Sequence, residues 1–319
     1  MKVVIVGGAG GIGSSLAYNL LRTDTPYDVV LVDSRPNMIT SHVMDLQDVL
    51  AFGGARSVRG GEPHDALDAD VVVLSAAVPL RLNASRSVFL AENAALLDGI
   101  VDPLVAAGWG GILMVLTNPV DALLTRLQQR TGLDPRRIIG YTVNDGLRMR
   151  TGVARALDAR PQDVETWVLG EHGEAQVPLY SRVRLRGEPV VLTDAQRAVA
   201  DEYMTTWYSR HVALDSGRTS TWSSGAGAAA LVEAVATGSG EPWPASVVLT
   251  GQYGIDGVGI GVPVRLGPGG VEEVLEWDLA DEERSALRHA AERVRAAAAS
   301  IGEPATDVAI AAGTGTGAR

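Results

Sequence analysis

Cysteine is absent from this chain of 319 residues. Without thiols the chain can form no disulfide framework, no thiolate nucleophile, no thiolate zinc site and no iron–sulfur cluster. Long hydrophobic runs are missing too, because no stretch approaches the roughly 20 apolar residues that span a bilayer. These absences exclude thiol chemistry and predict no membrane association. The hydrophobic share of 46% is typical of a globular chain with one large or two medium domains.

Basic residues are scarce relative to acidic ones. The chain has 27 Lys and Arg against 38 Asp and Glu, which gives a formal net charge of −11. Such a charge argues against nucleic acid or an anionic membrane as the main partner, and it repels acidic substrates on average. The apolar run at residues 3–6 is too short for the core of a signal peptide and is broken at once by glycines. We therefore expect a cytoplasmic protein.

The first half of the chain alternates short β-branched runs with segments of helical spacing, such as residues 14–21 and 87–97. Strands that are apolar on both faces are typical of a buried parallel sheet. The alternation predicts right-handed βαβ units in a doubly wound sheet, with a ligand site beyond the carboxyl ends of the strands. The predicted strands are residues 3–6, 29–32, 71–74 and 112–116.

The second half has a different pattern, which predicts an α+β substrate domain. A hairpin is predicted from strands at residues 182–186 and 190–192, with its turn at residues 187–189. Further strands are expected at residues 246–250 and 258–266. A helix from Asp281 carries one apolar stripe, made of Leu287, Ala290, Ala291, Val294 and Ala298.

These patterns divide the chain into three predicted parts. Residues 1–143 form the nucleotide-binding domain and residues 144–302 the substrate domain. Residues 303–319, which are rich in Ala, Gly and Thr, form a tail that we expect to be frayed.

A glycine-rich turn follows the first predicted strand. Residues 6–14 satisfy G-x-G-x-x-G through Gly8, Gly10 and Gly13, and satisfy G-x-x-G-x-x-G through Gly7, Gly10 and Gly13. Such glycines let the chain turn sharply and approach a pyrophosphate, while the next helix offers its N-terminal amides. The alternative is that the glycines only form a tight connection between strand and helix, but the strand before them and the helix after them favour nucleotide binding.

Asp33 ends the second predicted strand, 20 residues after Gly13. An acidic residue at this position holds a ribose 2′-hydroxyl and repels a 2′-phosphate. The sequence therefore predicts NAD, rather than NADP, as the cofactor.

From Met1 to Ile301 the chain resembles the lactate/malate dehydrogenase family. The pattern of Gly7, Gly10, Gly11, Ile12 and Gly13 is closest to the bacterial malate branch. The resemblance implies an N-terminal Rossmann domain, an NAD-dependent 2-hydroxy acid dehydrogenase activity, and a homodimer or homotetramer. The matching segments are residues 3–13, 43–46 (V-M-D-L), 70–86, 117–121 (T-N-P-V-D), 140–148, 170–173 (G-E-H-G) and 261–264 (G-V-P-V).

Reduction of a 2-oxo acid requires a proton donor at the ketone, a positive charge beside the developing alkoxide, and a group that binds the carboxylate. The resemblance makes His172 the proton donor and Asp145 the carboxylate that hydrogen-bonds its other nitrogen. Arg148, three residues beyond Asp145, would bind the substrate carboxylate with two hydrogen bonds. Without the resemblance, an Asp and an Arg at this spacing would indicate only a surface ion pair.

The resemblance also assigns the residues around these three. Arg86 would polarise the substrate carbonyl once a loop at residues 77–87 closes, and Asn118 would contact both substrate and nicotinamide. Thr221 would lie on the substrate pocket wall. The residues expected to bind the cofactor are Gly7, Gly8, Gly10, Gly11, Ile12, Gly13, Asp33, Asn93, Leu116, Thr117, Asn118 and Ser224.

The substrate-specificity loop departs from the family pattern. Leu80 stands where malate enzymes carry arginine and lactate enzymes glutamine, and Arg81 is adjacent. If Arg81 reaches the pocket, the substrate is dianionic, such as oxaloacetate or an analogue like phosphonopyruvate. If Leu80 faces the pocket, the substrate is a monocarboxylic 2-oxo acid. The resemblance of the remaining chain to the malate branch favours the dianionic substrate.

Two functions of other classes compete with this prediction. NAD-dependent glycosidases share the fold but use a metal site with a cysteine ligand, which this chain lacks. We therefore predict no metal. A noncatalytic NAD-binding protein would be expected to have lost a charged catalytic group, yet His172, Asp145, Arg148 and Arg86 are all present.

Overall fold

A parallel sheet forms the first half of the fold in the computed structural model, which describes residues 1–78 and 86–301, without the side chains of 86–88. Its strands run in the order β3-β2-β1-β4-β5-β6. The chain leaves β1 toward one edge and returns to β4 on the other side, so β1 and β4 flank the topological switch point. The strands are β1 (Lys2–Val6), β2 (Asp28–Val32), β3 (Ser57–Gly60), β4 (Val71–Leu74), β5 (Ile112–Val115) and β6 (Ile138–Tyr141).

Helices cover both faces of this sheet, because alternate residues of each strand point into different cores. Val3 and Ile5 of β1 pack with the first two helices, whereas Val4 packs with the next two. The predicted doubly wound fold is therefore confirmed. The helices of this half are α1 (Gly11–Leu21), α2 (Pro36–Val49), α3 (Arg86–Ala106), α4 (Val120–Thr131) and α5 (Val143–Ala156).

The second half extends the same sheet with antiparallel strands. After β6 the order continues β12-β13-β8-β9, and Ala245 of β12 pairs with Tyr141 of β6. A small separate sheet has the order β11-β10-β7. The strands are β7 (Val164–Glu165), β8 (Val168–Gly170), β9 (Gln176–Pro178), β10 (Arg184–Leu185), β11 (Glu188–Pro189), β12 (Pro242–Thr250), β13 (Asp256–Gly267) and β14 (Gly270–Val274).

Three helices complete this half: α6 (Asp194–Ala213), α7 (Thr221–Thr237) and α8 (Asp281–Ala299). All five residues of the predicted apolar stripe on α8 are buried. The α+β character of this half is confirmed. The domain division at residue 143 stays a prediction, and the tail at residues 303–319 lies outside the described chain.

A hairpin forms in the predicted region, but its turn and its second strand lie earlier than expected, and residues 190–192 are not in a strand. Arg184 pairs with Pro189 and Leu185 with Glu188, so the turn residues are Arg186 and Gly187. Both have positive φ, 53° and 82°. Two successive residues with positive φ are typical of the tight turns that match the twist of a hairpin. Glu188 and Pro189, which the sequence analysis placed in the turn, therefore form β11.

The glycine-rich turn closes tightly between β1 and α1. Gly7 has φ +92°, and a Cβ there would lie 2.5 Å from the backbone nitrogen of Ala76. A Cβ on Gly13 would lie 2.4 Å from the carbonyl oxygen of Gly7. Side chains at these two positions would collide with backbone, so the turn depends on glycine. No helix in the two described ranges is long and apolar enough to cross a membrane.

Candidate active site

His172 stands in a short loop after β8. Gly170, the last residue of that strand, has φ +88° and pairs with Gly261 of β13. The loop closes through a hydrogen bond from the Glu171 backbone N–H to the Ala175 carbonyl, at 3.2 Å. The sheet therefore fixes the point from which the His172 side chain projects.

Asp145 holds one side of the His172 ring. It lies in the first turn of α5, and its Oδ2 is 2.6 Å from His172 Nδ1. A carboxylate can accept hydrogen bonds but cannot donate them, so Nδ1 carries the proton and Nε2 is the nitrogen left for a substrate. The sequence-predicted pair is brought together, with 14% of the His172 side chain exposed and 6% of the Asp145 side chain.

A second carboxylate holds the backbone of the same loop. Asp121, in α4, accepts a 2.7 Å hydrogen bond at Oδ2 from the His172 backbone N–H. Burial raises the pKa of Asp121 to about 6, against smaller opposing effects of Ser246 and His172. Asp121 Oδ1 and Ser246 Oγ are both buried, and neither has a hydrogen-bond partner among the described residues. Asp121 is the last residue of the T-N-P-V-D segment at residues 117–121, but nothing in that local pattern predicted a role for it.

The net effect of these neighbours is to raise the pKa of His172. Burial alone acts to lower it, but the charge and hydrogen bond of Asp145 and the charge of Asp121 act more strongly in the opposite direction. The protonated ring is therefore favoured to a higher pH than for an isolated histidine.

Arg148 lies beside the pair on the same helix, and its Nη1 is 3.9 Å from Asp145 Oδ1. Burial lowers the pKa of Arg148 and the nearby Asp145 counteracts this, but a guanidinium stays charged in proteins. One face of the guanidinium is covered by the Trp207 ring of α6, whose centroid lies 4.1 Å from Arg148 Cζ. His172 and Arg148 thus place a proton donor and a fixed positive charge around one carboxylate, Asp145.

Asn93 and Thr117 brace the ends of the parallel strands. Asn93 is fully buried, accepts a hydrogen bond from the Val78 backbone at 2.9 Å and donates one to the Asn118 carbonyl at 3.0 Å. Thr117 donates to the Ala76 carbonyl at 2.7 Å. The Asn118 side chain is exposed next to buried Leu116 and Thr117. These residues therefore cluster at the carboxyl edge of the sheet, where the sequence places the cofactor.

Two predicted residues come from α7. Thr221 packs against the glycine turn, because a Cβ on Gly11 would lie 2.9 Å from Thr221 Oγ1. The Thr221 hydroxyl donates to the Thr219 carbonyl at 3.1 Å. Ser224 accepts a 2.8 Å hydrogen bond from Asn144, the neighbour of Asp145. Helix α7 therefore links the glycine turn to the start of α5.

Asp33 lies at the carboxyl end of β2, where the glycine turn meets it. Its Oδ2 accepts from the Ala9 backbone N–H at 3.1 Å, and its Oδ1 lies 3.0 Å from Arg35 Nε. Burial acts to raise the pKa of Asp33, but Arg35 and Ala9 hold it below its usual value. An ionised carboxylate beside a turn too tight for side chains fits a dinucleotide with a free 2′-hydroxyl.

Leu80 and Arg81 lie outside the described residues, and so does the side chain of Arg86, whose backbone begins α3. A cavity of about 1010 Å³ between α5, β12 and the small sheet contains none of the predicted site residues. Within the described ranges, no group of three His, Asp or Glu is arranged to hold a metal ion.

Comparison with known proteins agrees with this arrangement. Residues 1–140 match the NAD-binding domain of lactate/malate dehydrogenases, and residues 142–303 match their α/β C-terminal domain. The malate dehydrogenase of Halobacterium salinarum is 34% identical, covering 92% of this chain and 97% of that protein. An L-lactate dehydrogenase of Lactobacillus delbrueckii is also 34% identical, covering 94% of this chain and 99% of that one.

Solved structures give the same result. Malate dehydrogenase from Salinibacter ruber superposes with a TM-score of 0.85 at 29% identity, covering 94% of this chain and 97% of that one. A minor L-lactate dehydrogenase from Enterococcus mundtii gives 0.84 at 28% identity, covering 94% and 98%. The fold, the glycine turn and these relatives define an NAD-dependent oxidoreductase that acts on a CH–OH group. The chain belongs to the lactate/malate dehydrogenase family.

The contact between Asp145 and His172 predicts a pH effect. In Asp145→Asn, burial still lowers the pKa of His172, but the charge of Asp145, the larger of the two opposing charges, is lost, so that pKa falls. Reduction uses the protonated ring and slows as pH rises through this pKa. The falling limb of the pH–rate profile should therefore move to lower pH, and turnover should drop by about 10²–10⁴-fold.

The control is Asp163→Asn, which removes an ion-paired carboxylate whose partners are Arg160 and Arg186. Its profile should match that of the unaltered protein. An unchanged falling limb in Asp145→Asn would contradict the role of Asp145.

Asp33 predicts the preference for NADH over NADPH. Asp33→Ser removes the carboxylate that repels a 2′-phosphate and releases Arg35, which is 56% exposed, to bind that phosphate. The NADH/NADPH ratio of kcat/KM should fall about tenfold or more, a change of about 1.4 kcal/mol. Asp28→Ser, at the other end of β2, should leave the ratio unchanged. The same ratio in both variants would refute the assignment of Asp33.

Proposed function

We propose that this protein catalyses reversible hydride transfer between NADH and a 2-oxo acid, with a dianionic 2-oxo acid as the favoured substrate. The observation that carries the proposal is the 2.6 Å contact of His172 with Asp145, beside the Arg148 guanidinium. A fixed proton donor and a fixed positive charge are the two groups that a carbonyl with an adjacent carboxylate requires.

His172 moves the proton in this reaction. In reduction, the imidazolium donates its Nε2 proton to the carbonyl oxygen. The neutral ring keeps the proton on Nδ1, which stays hydrogen-bonded to Asp145. In oxidation, the neutral ring accepts the hydroxyl proton at Nε2. NADH supplies the hydride that adds to the carbonyl carbon, so C=O becomes CH–OH. Arg148 binds the carboxylate, and Arg86 would stabilise the developing alkoxide.

The residues present fit the cofactor. The glycine turn at residues 7–13 would hold the pyrophosphate, because its backbone can approach the phosphates closely. Cβ atoms on Gly7 and Gly13 would collide with neighbouring backbone and prevent this tight turn. Asp33 would accept hydrogen bonds from the ribose. The residues that would surround the nicotinamide are Ser224 of α7 and four residues at the carboxyl edge of the sheet: Asn93, Leu116, Thr117 and Asn118.

The dianionic substrate, such as oxaloacetate, malate or phosphonopyruvate, is supported by Arg81 in the specificity loop and by relatives named malate dehydrogenase. The alternative is a monocarboxylic 2-oxo acid, supported by Leu80 and by relatives named L-lactate dehydrogenase. The 34% identity is the same for both kinds of relative, so identity does not separate the two substrates.

Oxidation of NADH with a panel of 2-oxo acids tests the proposal. Oxaloacetate and phosphonopyruvate should give a higher kcat/KM than pyruvate and longer monocarboxylic 2-oxo acids. His172→Ala, the control for contaminating activity, should abolish turnover on every substrate while NADH still binds, because the other half of the chain builds the cofactor site. NADH binding without turnover on any substrate would favour a noncatalytic protein.

Arg81→Ala separates the two substrate classes. If Arg81 binds the distal anionic group, kcat/KM should drop for oxaloacetate and phosphonopyruvate and stay unchanged for pyruvate. An unchanged kcat/KM for the dianionic substrates would contradict this role of Arg81 and favour the monocarboxylic alternative.

We also propose a homodimer or homotetramer, on the basis of the family resemblance alone. The measurement is the mass in solution by light scattering, which should be two or four times the chain mass of 33.4 kDa. A mass of one chain would contradict the oligomer.

A further inference from the structure

The guanidinium of Arg148 lies against an aromatic ring that the sequence analysis did not single out. Arg148 Cζ is 4.1 Å from the centroid of the Trp207 ring, well within the roughly 6 Å at which a cation and an aromatic face attract. The Trp207 ring is half-buried, and the Arg148 side chain is 20% exposed. A charge that is partly removed from water gains more from such a contact than one on an open surface.

The contact belongs to a seam between α5 and α6. Two turns further along α5, Arg155 lies over Tyr203, one turn before Trp207 on α6, at 4.4 Å. Ala200 and Met204 are the buried residues of α6. They share a buried cluster with Met149, Val153 and Ala154 of α5, and the two arginine–aromatic pairs lie along the same seam.

The Trp207 ring is itself held in place from another side. His211, one turn later on α6, stacks on it with ring centroids 5.0 Å apart and planes 13° apart. His211 Nε2–H donates to the Arg218 carbonyl at 3.0 Å. Arg218 lies just before α7, so the ring is fixed between α5 and the segment that leads to Thr221.

Arg148 has a competing partner within its own site. Asp145 Oδ1 is 3.9 Å from Arg148 Nη1, the outer limit of an ion pair. A closer Asp145–Arg148 pair would engage the hydrogen-bonding edge that a substrate carboxylate needs. A ring against the face of the guanidinium limits its movement toward Asp145, yet uses none of its N–H groups.

We propose that Trp207 is a positioning residue for substrate recognition: it holds Arg148 so that the N–H edge of the guanidinium is presented to the carboxylate of a 2-oxo acid. This inference rests on the proposed function. Trp207 acts through Arg148 on substrate binding, whereas the Tyr203 ring lies against Arg155 and Arg210, neither of which is a predicted site residue.

The test compares Trp207→Leu with Tyr203→Leu as its matched control. Both remove one aromatic contact from the seam and should lower the melting temperature to a similar degree. Only Trp207→Leu should raise KM for the best 2-oxo acid, by about tenfold or more, with a smaller change in kcat and the same affinity for NADH. Trp207→Phe, whose smaller ring still stacks, should give an intermediate KM.

An equal rise of KM in the two leucine variants would show that the seam matters only for folding, and would overturn the inference. An unchanged KM in both Trp207 variants would overturn it as well. If Trp207→Leu does not fold, the KM of Trp207→Phe decides, and a value equal to that of the unaltered protein counts against the inference. Failure of the proposed function looks different, because the unaltered protein would then turn over no 2-oxo acid.

Discussion

The hydrogen bonds of two buried carboxylates to His172 are the interactions on which the rest of the site depends. Asp145 binds the ring and Asp121 binds the backbone of the same residue, at 2.6 and 2.7 Å. Both carboxylates come from helices that follow parallel strands, whereas His172 follows an antiparallel strand of the second half. These two hydrogen bonds therefore depend on the pairing of β6 with β12, which joins the strands of the two halves into one continuous sheet.

This arrangement places negative charge where an anionic substrate is proposed to bind. The chain as a whole carries −11, and the two carboxylates nearest His172 are almost fully buried. Their field is useful to the ring, since it favours the proton-donating form, but it opposes a carboxylate ligand. A guanidinium held at a fixed place offsets this repulsion locally, because charges in a cleft of low dielectric constant act more strongly than those on the surface. The net charge of the chain therefore indicates which partners are excluded, but it does not indicate which substrate binds.

The sequence predicted those parts of the fold whose signal is local. Strands β1, β2, β4 and β5 are continuous apolar runs, and the stripe on α8 has helical spacing. Strand β3 was missed because it lies at the sheet edge with only Val58 buried, and β6 because Gly140 interrupts its apolar pattern. That glycine is required by a distant residue, since a Cβ on it would lie 2.8 Å from Ser246 Cβ. The roles of Asp121 and Trp207 also depend on partners far along the chain, so no local pattern could indicate them.

The hydride and the proton must reach the same carbonyl, which requires the glycine turn and the His172 pair to keep a fixed separation. Asn144 provides the link. Its Oδ1 accepts from the Tyr141 hydroxyl at 2.9 Å, and its amide donates to Ser224 of α7 at 2.8 Å. Helix α7 in turn packs on α1, where a Cβ on Gly225 would collide with Ser15. Because Asn144 directly precedes Asp145, the packing of α7 on α1 is connected through Ser224 and Asn144 to the carboxylate that contacts His172. The close packing of small residues between α1 and α7 therefore helps to set the separation between the glycine turn and His172, as well as the stability of the fold.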